Sequence, residues 1–223
     1  MNTIIYLIRH SVRLKNSLIE KNNSIQNEII QSEKSILSVE DEKRAEILSN
    51  EKELQNIDVV YVSNCVRTIQ TAKYLMDKQN LKAIIDERLD EKRGVKQAQM
   101  SQQEWMYNQY FNENFKPEGG ESFQDVKQRL SEVYEEIIEK YKGKRIAVFS
   151  HGYAITIFLM KWCKLLSVDE NYVKKLSFND KIIFNAKMNA PEVFKLEIDE
   201  NTELMNIENI IFEDLPFANG NGK

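Results

Sequence analysis

The chain contains two histidines, and each of them ends a short apolar run that is typical of a buried β-strand. His10 ends the run over residues 3–10, and His151 ends the run over residues 145–151. The carboxyl ends of strands are where α/β folds place their ligand sites. Either histidine alone is more simply a polar residue at the edge of the core. The pair, with Arg9 directly before the first histidine, predicts a site for an anion.

A second arginine falls at the same predicted edge. Residues 58–63 have the pattern of another buried strand, and residues 64–72 that of a loop and a helix start, which contains Arg67. The free N–H groups of a helix N-terminus attract anions, and a guanidinium adds a planar fork that matches phosphate oxygens. We therefore predict that Arg67 joins Arg9 and the two histidines around one anion.

The length and composition predict a soluble globular protein with one large α/β domain, since the chain has 223 residues, 42% hydrophobic and 30% charged. We expect a single domain over residues 1–215 and a disordered tail over residues 216–223. The sequence has no apolar stretch long enough to span a bilayer and no signal-peptide pattern. Cys65 and Cys163 form no CxxC motif and are expected to be reduced thiols in a cytoplasmic protein.

The charge and the motifs limit the partners. A net charge of -4 argues against nucleic acid, although a local cationic pocket still attracts a phosphorylated metabolite. The histidines and cysteines form no cluster at metal-ligand spacing, and the chain has neither a P-loop nor a GxGxxG pattern, so no metal or other cofactor is predicted. The expected partner is a small phosphomonoester or inorganic phosphate, with no nucleic acid and no membrane. The oligomeric state is open.

Strands and helices alternate along the chain, which predicts an α/β three-layer sandwich with a mostly parallel central sheet flanked by helices. The polar segment 14–35, with one short helix, is either a lid over the site or a solvated insertion. Near the end of the chain, residues 181–185 and 193–198 are expected to form an antiparallel pair. The other predicted elements are a helix capped by Ser38, a strand over 82–86, a helix over 101–112 and a long amphipathic helix that follows Ser122.

Taken in order, these motifs resemble those of the histidine phosphatase superfamily, which has the phosphoglycerate mutase-like fold. The family's Arg-His-Gly reads Arg-His-Ser at 9–11, and Asn16 matches an asparagine six residues after the histidine. The pattern Ser-x-x-x-Arg-Thr-x-x-Thr-Ala matches residues 63–72. Gly-Glu-Ser at 120–122 and Ser-His-Gly at 150–152 complete a resemblance that covers nearly the whole chain.

The resemblance implies a metal-independent phosphatase that hydrolyses a small phosphomonoester. His10 would be the nucleophile and form a phosphohistidine, which water would then hydrolyse. The neighbouring arginines disfavour the imidazolium and keep the attacking nitrogen unprotonated. Arg9, Arg67 and His151 would bind the phosphate oxygens, with Asn16 as a further donor. No metal would be needed, because the arginines supply the positive charge.

The leaving alkoxide needs a proton, so the reaction requires a general acid. The family carries the acid on a Leu-x-Glu segment followed by glycine, which Leu89-Asp90-Glu91 matches here. Gly94 comes one residue earlier than in the usual pattern. We assign the role of general acid to Glu91 and keep Glu87 and Asp90 as alternatives.

Mutases of this fold continue their first motif with Glu-Ser-x-Trp, whereas this chain has Val12, Arg13 and Lys15 in that region. The chain is also short for a mutase, so hydrolysis is favoured over phosphoryl transfer between hydroxyls. Phosphoglycerate mutase-type transfer stays open as an alternative, as does a non-catalytic phosphate-binding homologue that lacks a working acid. The two cations near the motif are either solvated loop residues or contacts for a second anionic group. The sequence does not name the substrate.

Overall fold

The computed structural model describes residues 1–14, 25–94 and 99–220. The strands are β1 (Thr3–Arg9), β2 (Val59–Val62), β3 (Ala83–Ile85), β4 (Arg145–Ser150), β5 (Lys164–Val168), β6 (Val173–Phe178), β7 (Lys181–Lys187), β8 (Glu192–Ile198) and β9 (Leu204–Ile210). The helices are α1 (Ile25–Lys34), α2 (Val39–Asn50), α3 (Val66–Gln79), α4 (Gln102–Phe111), α5 (Phe123–Lys140) and α6 (Gly152–Leu159).

The central sheet has six strands in the order β3-β2-β4-β1-β8-β9. The first four strands in this order are parallel to one another, and β8 and β9 extend the sheet in antiparallel fashion. A second sheet of three antiparallel strands has the order β5-β6-β7. The predicted α/β fold with a mostly parallel sheet flanked by helices is therefore confirmed.

Strand β1 lies in the middle of the sheet and is buried on both faces. Ile5 and Leu7 pack into one hydrophobic core with residues of α5 and α6. Tyr6 and Ile8, which point the other way because side chains alternate along a strand, pack into a second core with residues of α2 and α3. Continuous apolar runs are typical of parallel strands that are covered on both faces, as this one is.

The register of the parallel strands aligns the polar residues that follow them. Arg9 pairs with Ser150, and Val62 pairs with Phe149. The next residues along the chain, His10 and His151, therefore leave the sheet at the same edge. This alignment brings together the motifs that follow β1 and β4, which are far apart in the sequence.

Serine side chains begin three of the predicted helices. Ser38 accepts from the amide of Asp41 at 3.2 Å, which starts α2. Ser101 and Ser122 form capping boxes with an acidic residue three positions later and start α4 and α5. The helices predicted from Ser38, over 101–112 and after Ser122 are confirmed, as is the strand predicted over 82–86.

The predicted pairing of 181–185 with 193–198 is wrong. Strand β7 pairs with β6 in the small sheet, whereas β8 lies between β1 and β9 in the central sheet. The two runs look alike in sequence, but β8 is buried along most of its length and β7 is mostly exposed. The preceding β5 and β6 were not expected from the sequence, and they supply the partner that β7 takes.

Residues near the end of the described chain form hydrogen bonds with distant residues. Arg44 donates to the Pro216 carbonyl at 2.7 Å, and the amide of Ala218 donates to Asn189 Oδ1 at 2.8 Å. The amide of Arg13 donates to the Gly220 carbonyl at 3.3 Å. The domain over residues 1–215 and the disordered tail over residues 216–223 stay predictions, and residues 221–223 lie outside the described residues.

Helix α1 is the short helix expected within residues 14–35, and residues 15–24 of that segment lie outside the description. Within the described ranges, no helix has the length and apolar character needed to cross a membrane.

Candidate active site

His10 lies directly after β1 and is 5% exposed. Its backbone amide donates to the Ser150 carbonyl at 3.0 Å, which fixes the residue against β4. Its ring Nδ1 lies 2.5 Å from the Ser11 carbonyl. A carbonyl oxygen only accepts, so Nδ1 carries the proton and Nε2 of the neutral ring has a free lone pair. Burial, followed by the charges of Arg67 and Arg9, lowers the pKa of His10 well below its usual value.

The serine that replaces glycine after His10 has partners of its own. The amide of Ser11 donates to Thr71 Oγ1 at 3.0 Å, and its hydroxyl donates to the Asp41 carbonyl at 2.8 Å. The backbone ties the loop after β1 to α3, as a glycine would, and the serine hydroxyl adds a bond to α2. These bonds hold the carbonyl that in turn accepts the His10 Nδ1 proton.

The second histidine contacts the first. The rings of His10 and His151 lie edge to face with centroids 5.1 Å apart. His151 is fully buried, with Nε2 at 2.8 Å from Ser63 Oγ and Nδ1 at 2.9 Å from Arg67 Nη2. A guanidinium only donates, so Nδ1 accepts and Nε2–H donates to Ser63. Both ring nitrogens are thus engaged, and in this arrangement His151 orients Arg67.

Arg67 and Arg9 each keep one donor without a partner. Arg67 lies in the first turn of α3, is 2% exposed, and also donates through Nη1 to the Ser32 carbonyl. Arg9 donates through Nη1 to the carbonyls of Met188 and Asn189 at 2.7 and 3.0 Å. The Nε groups of both arginines are buried and have no hydrogen-bond partner among the described residues. Buried donors of this kind are costly unless a ligand accepts from them.

Two glycines make room for the guanidinium of Arg9. A Cβ on Gly152, at the start of α6, would lie 3.1 Å from Arg9 Nε, and a Cβ on Gly220 would overlap the guanidinium. The side chain is therefore enclosed by the helix N-terminus, the end of the chain and the carbonyls that follow β7. This packing fixes the direction of the group and limits what else can contact it.

Glu91 lies at the N-terminus of α6, directly beyond His151. Its carboxylate accepts from the amides of Tyr153 at 3.3 Å, Ala154 at 3.0 Å and Lys92 at 2.9 Å. The charge of Glu91 also acts on Arg9 and Arg13. The structure thus brings the predicted acid beside the cations.

The two alternative acids have different surroundings. Glu87 is exposed at the start of a short 3-10 turn. Asp90 is 5% exposed and accepts from the Asn64 amide at 2.8 Å, and burial raises the pKa of this carboxyl. Asp90 therefore holds the loop by its bond to the Asn64 amide. One of its carboxylate oxygens also lies within 4.8 Å of a ring nitrogen of His151.

One group of side chains within the described ranges has the donor types of a metal site. Ligand atoms of Cys65, Asp90 and His151 all lie within 4.8 Å of one another. Burial raises the pKa of the Cys65 thiol to about 11, and both nitrogens of His151 already have partners. A metal ion would bind here only by displacing Ser63 or Arg67, so the residues do not form a prepared metal site.

An arginine that the motifs did not indicate holds the Glu91 loop. Arg129 on α5 donates to the carbonyls of Arg88 at 2.6 Å, Asp90 at 2.9 Å and Glu91 at 3.4 Å. The same guanidinium forms two bonds with Glu121, at 2.7 and 3.0 Å. Glu121 is the acid of the Gly-Glu-Ser motif, so the sequence did indicate that this residue matters. Nothing in the spacing indicated that its partner is Arg129, eight residues later. Arg129 thus fixes the backbone from which Glu91 projects.

Of the predicted site residues, Arg9, His10, Arg67, Glu91 and His151 are brought together at one edge of the sheet. The sixth, Asn16, lies outside the described residues, so its predicted role as a donor is untested. The chemical roles assigned to all six also stay predictions. What the geometry provides is a neutral imidazole with a free lone pair beside two arginines whose Nε groups have no partner among the described residues.

A family model of the histidine phosphatase superfamily, branch 1, matches residues 5–177, which contain every one of these residues. The chain belongs to the histidine phosphatase superfamily. The resemblance seen in the motifs is thereby confirmed. The matched range ends within the small sheet and does not include β8, the antiparallel neighbour of β1.

Among curated proteins, the chain is 29% identical over 141 residues to phosphoserine phosphatase 1 of Hydrogenobacter thermophilus. The match covers 60% of this chain and 65% of that enzyme, so it spans just under two thirds of the relative's length.

Among solved structures, the mycobacterial glucosyl-3-phosphoglycerate phosphatase superposes with a TM-score of 0.62 at 16% identity, covering 95% of this chain and 99% of that one. The α-ribazole phosphatase from Shigella flexneri superposes with a TM-score of 0.59 at 18% identity, covering 93% and 96%. These likenesses show that this member of the superfamily has the fold of known phosphatases.

The first prediction concerns Arg129 as a positioning residue. Arg129→Lys keeps the charge but cannot bond Glu121 and the loop carbonyls together, so Glu91 should lose its fixed position. Since small misplacements are costly in catalysis, we expect release of phosphate from an alkyl phosphate to fall roughly 10- to 100-fold in kcat. The affinity for inorganic phosphate should change little.

The matched control is Arg88→Lys, because Arg88 lies on the same loop and pairs with Asp86 and Glu136 near the surface. This variant should keep its activity. An equal loss in both variants, or a loss of phosphate affinity as large as the loss of kcat, would show that Arg129 does not act through Glu91.

Proposed function

We propose that this protein is a phosphomonoesterase that hydrolyses a small phosphorylated metabolite through a phosphohistidine on His10. The observation that carries the proposal is the hydrogen bond from His10 Nδ1 to the Ser11 carbonyl, which leaves Nε2 as a nucleophile. The unpartnered Nε groups of Arg9 and Arg67 support it, because they are suited to phosphoryl oxygens.

In the first step, His10 Nε2 attacks phosphorus and the bond from phosphorus to the ester oxygen breaks. Arg9 and Arg67 neutralise the charge on the phosphoryl oxygens, which is the main catalytic contribution in phosphoryl transfer. Glu91 gives its proton to the departing oxygen, so the alcohol leaves neutral. The products of this step are the alcohol, a phosphohistidine and the Glu91 carboxylate.

In the second step, water attacks the phosphohistidine. The Glu91 carboxylate takes a proton from the water, the bond between phosphorus and nitrogen breaks, and His10 Nε2 recovers its lone pair. Phosphate leaves, and the proton on Glu91 restores the starting state. His151 was expected to bind phosphate oxygens, but both of its ring nitrogens already have partners, so we assign it the role of orienting Arg67.

The low pKa of His10 fits a nucleophile that works below neutral pH. An ordinary imidazole is half protonated near pH ~6.5. Burial and the two arginines lower the pKa of His10, so the neutral, attacking form persists as the pH falls through that value. The relatives support the reaction class, since they include enzymes named as phosphatases of phosphoserine and of glucosyl-3-phosphoglycerate. A mycobacterial relative has also been solved in complex with inorganic phosphate.

The second prediction tests the nucleophile. The protein should release phosphate from 4-nitrophenyl phosphate near pH ~6 with a chelator present, because His10 is then neutral and no metal takes part. His10→Asn, which keeps the polarity and nearly the size, should lose at least ~1,000-fold in kcat, as expected when a nucleophile is removed. Equal activity in the variant, or loss of wild-type activity on chelation, would contradict the mechanism. With a phosphorylated diol as the substrate instead, accumulation of its isomer without free phosphate would favour a mutase.

The third prediction tests the acid by comparing leaving groups. Glu91→Gln should slow hydrolysis of an alkyl phosphate by roughly 100- to 10,000-fold, the usual contribution of a general acid. The loss should be much smaller for 4-nitrophenyl phosphate, whose leaving group needs no proton. Only the loss of a proton donor produces this dependence on the leaving group.

Asp90→Asn and Glu87→Gln are the matched controls for Glu91, since each removes a carboxylate from the same segment. Their activity on the two esters should change in parallel. If either control shows the leaving-group dependence and Glu91→Gln does not, the acid has been assigned to the wrong carboxylate.

A further inference from the structure

The two carbonyls that accept from Arg9 belong to consecutive peptide groups between β7 and β8. Arg9 Nη1 donates to the carbonyls of Met188 at 2.7 Å and Asn189 at 3.0 Å. A backbone carbonyl fixes the direction of a guanidinium only if its own peptide is held in place. The direction of Arg9 therefore depends on the groups that bind the N–H of each of these peptides.

Glu192, the first residue of β8, holds the first of the two peptides. The peptide between Met188 and Asn189 is trans, so its C=O and its N–H point in opposite directions. The C=O accepts from Arg9, and the N–H donates to Glu192 Oε2 at 2.6 Å. One peptide group thus lies between a cation and a carboxylate, and this arrangement polarises the peptide and strengthens both hydrogen bonds.

A side-chain amide holds the second peptide in the same way. The amide of Ala190 donates to Asn189 Oδ1 at 2.8 Å, and the carbonyl of the same peptide accepts from Arg9. Asn189 Oδ1 also accepts from the amide of Ala218 at 2.8 Å, which fixes the side chain. Of the two groups that hold these peptides, only Glu192 carries a charge.

Glu192 is a buried carboxylate without an ion pair. It is 9% exposed and forms no salt bridge with any residue that the structure describes. Its Oε1 accepts from Asn209 Nδ2 at 2.8 Å, so both oxygens accept, as expected for the ionised group. A buried charge of this kind is costly unless another charge offsets it. Arg9 is the register partner of Glu192 on the neighbouring strand, and the relayed hydrogen bonds couple the two charges.

We propose that Glu192 is a positioning residue for the phosphate-binding arginine: it fixes Arg9 through the peptide between Met188 and Asn189 and supplies a counter-charge. A carboxylate bonded directly to the guanidinium would compete with the phosphoryl group for the same donors. Through the peptide, Arg9 is held by Nη1 and its Nε keeps no partner among the described residues. This inference rests on the proposed function, in which Arg9 binds phosphoryl oxygens. Glu192 also lies outside the residues that the family model matches.

The test measures the dissociation constant of inorganic phosphate by calorimetry in Glu192→Met, which has nearly the same size but no oxygen. The amide of Asn189 loses its acceptor and Arg9 loses its counter-charge. We expect phosphate to bind roughly 10- to 100-fold more weakly, the usual effect of a hydrogen bond to a charged group. The value of kcat/KM for 4-nitrophenyl phosphate should fall at least as much. A purely structural carboxylate would lower the melting temperature and leave the phosphate affinity unchanged, which would overturn the inference.

Glu192→Gln separates the hydrogen bond from the charge. It keeps an oxygen that can accept from the amide of Asn189, so its phosphate affinity should lie between those of Glu192→Met and the wild type. If Glu192→Met does not fold, this variant takes its place in the test, and an affinity equal to that of the wild type would then contradict the inference.

The matched control is Glu197→Met, which removes a carboxylate farther along the same strand. Glu197 pairs with Lys195 at 3.2 Å, so the variant also loses a charge and a bond. Its affinity for phosphate should equal that of the wild type. Losses of the same size in Glu197→Met and Glu192→Met would show a general effect of β8 rather than a role for Glu192.

A double-mutant cycle shows whether Glu192 acts through Arg9. In an Arg9→Gln background the guanidinium is gone, so adding Glu192→Met should no longer weaken phosphate binding. Equal losses from Glu192→Met in both backgrounds would overturn the inference.

The failures are distinguishable, because phosphate binding is measured apart from hydrolysis. If the wild type binds phosphate and cleaves 4-nitrophenyl phosphate, and Glu192→Met does both equally well, the role of Glu192 is wrong and the phosphatase stands. If the wild type neither binds phosphate nor cleaves any phosphomonoester, the proposed function itself is wrong and this inference falls with it.

Discussion

The structure depends on holding the guanidinium groups of Arg9 and Arg67 beside the two buried imidazoles of His10 and His151. Like charges in a medium of low polarity repel one another, and each unpartnered N–H adds a desolvation cost. The protein offsets this with fixed acceptors: the carbonyls of Met188 and Asn189 for Arg9, and His151 for Arg67. The Nε groups of both arginines keep no partner among the described residues, and our proposal is that phosphoryl oxygens accept from them.

Burial, together with the same repulsion, accounts for the protonation states. Desolvation disfavours the charged form of His10 and His151 and the nearby arginines repel it, so the pKa of each ring lies well below its usual value. The Ser11 carbonyl then selects the tautomer of His10, and Ser63 selects that of His151. Glu91, the proposed acid, lies beside this cluster on a loop that Arg129 holds, and the amides at the start of α6 donate to its carboxylate.

Much of this site could be predicted from the sequence because its residues follow strands directly. A strand that is buried on both faces has a recognisable apolar run, and parallel register brings the ends of such runs together. The parts that could not be predicted depend on contacts between distant segments. The strands of the small sheet have mixed patterns of exposed and buried residues, which is why the pairing partner of β7 was predicted wrongly. Arg129 is polar on an amphipathic helix, where most such residues face solvent, and only the fold brings it to the Glu91 loop.

The central claim is that His10 carries the phosphoryl group during turnover, and the most direct measurement is rapid acid-free quenching of the wild type with a ³²P-labelled phosphomonoester. We predict a label on His10 that is stable in base and released by acid, that decays at the rate of phosphate release, and that is absent from His10→Asn. Phosphate released at the normal rate with no label on His10 at any time after mixing would contradict the account, because water would then attack the substrate directly.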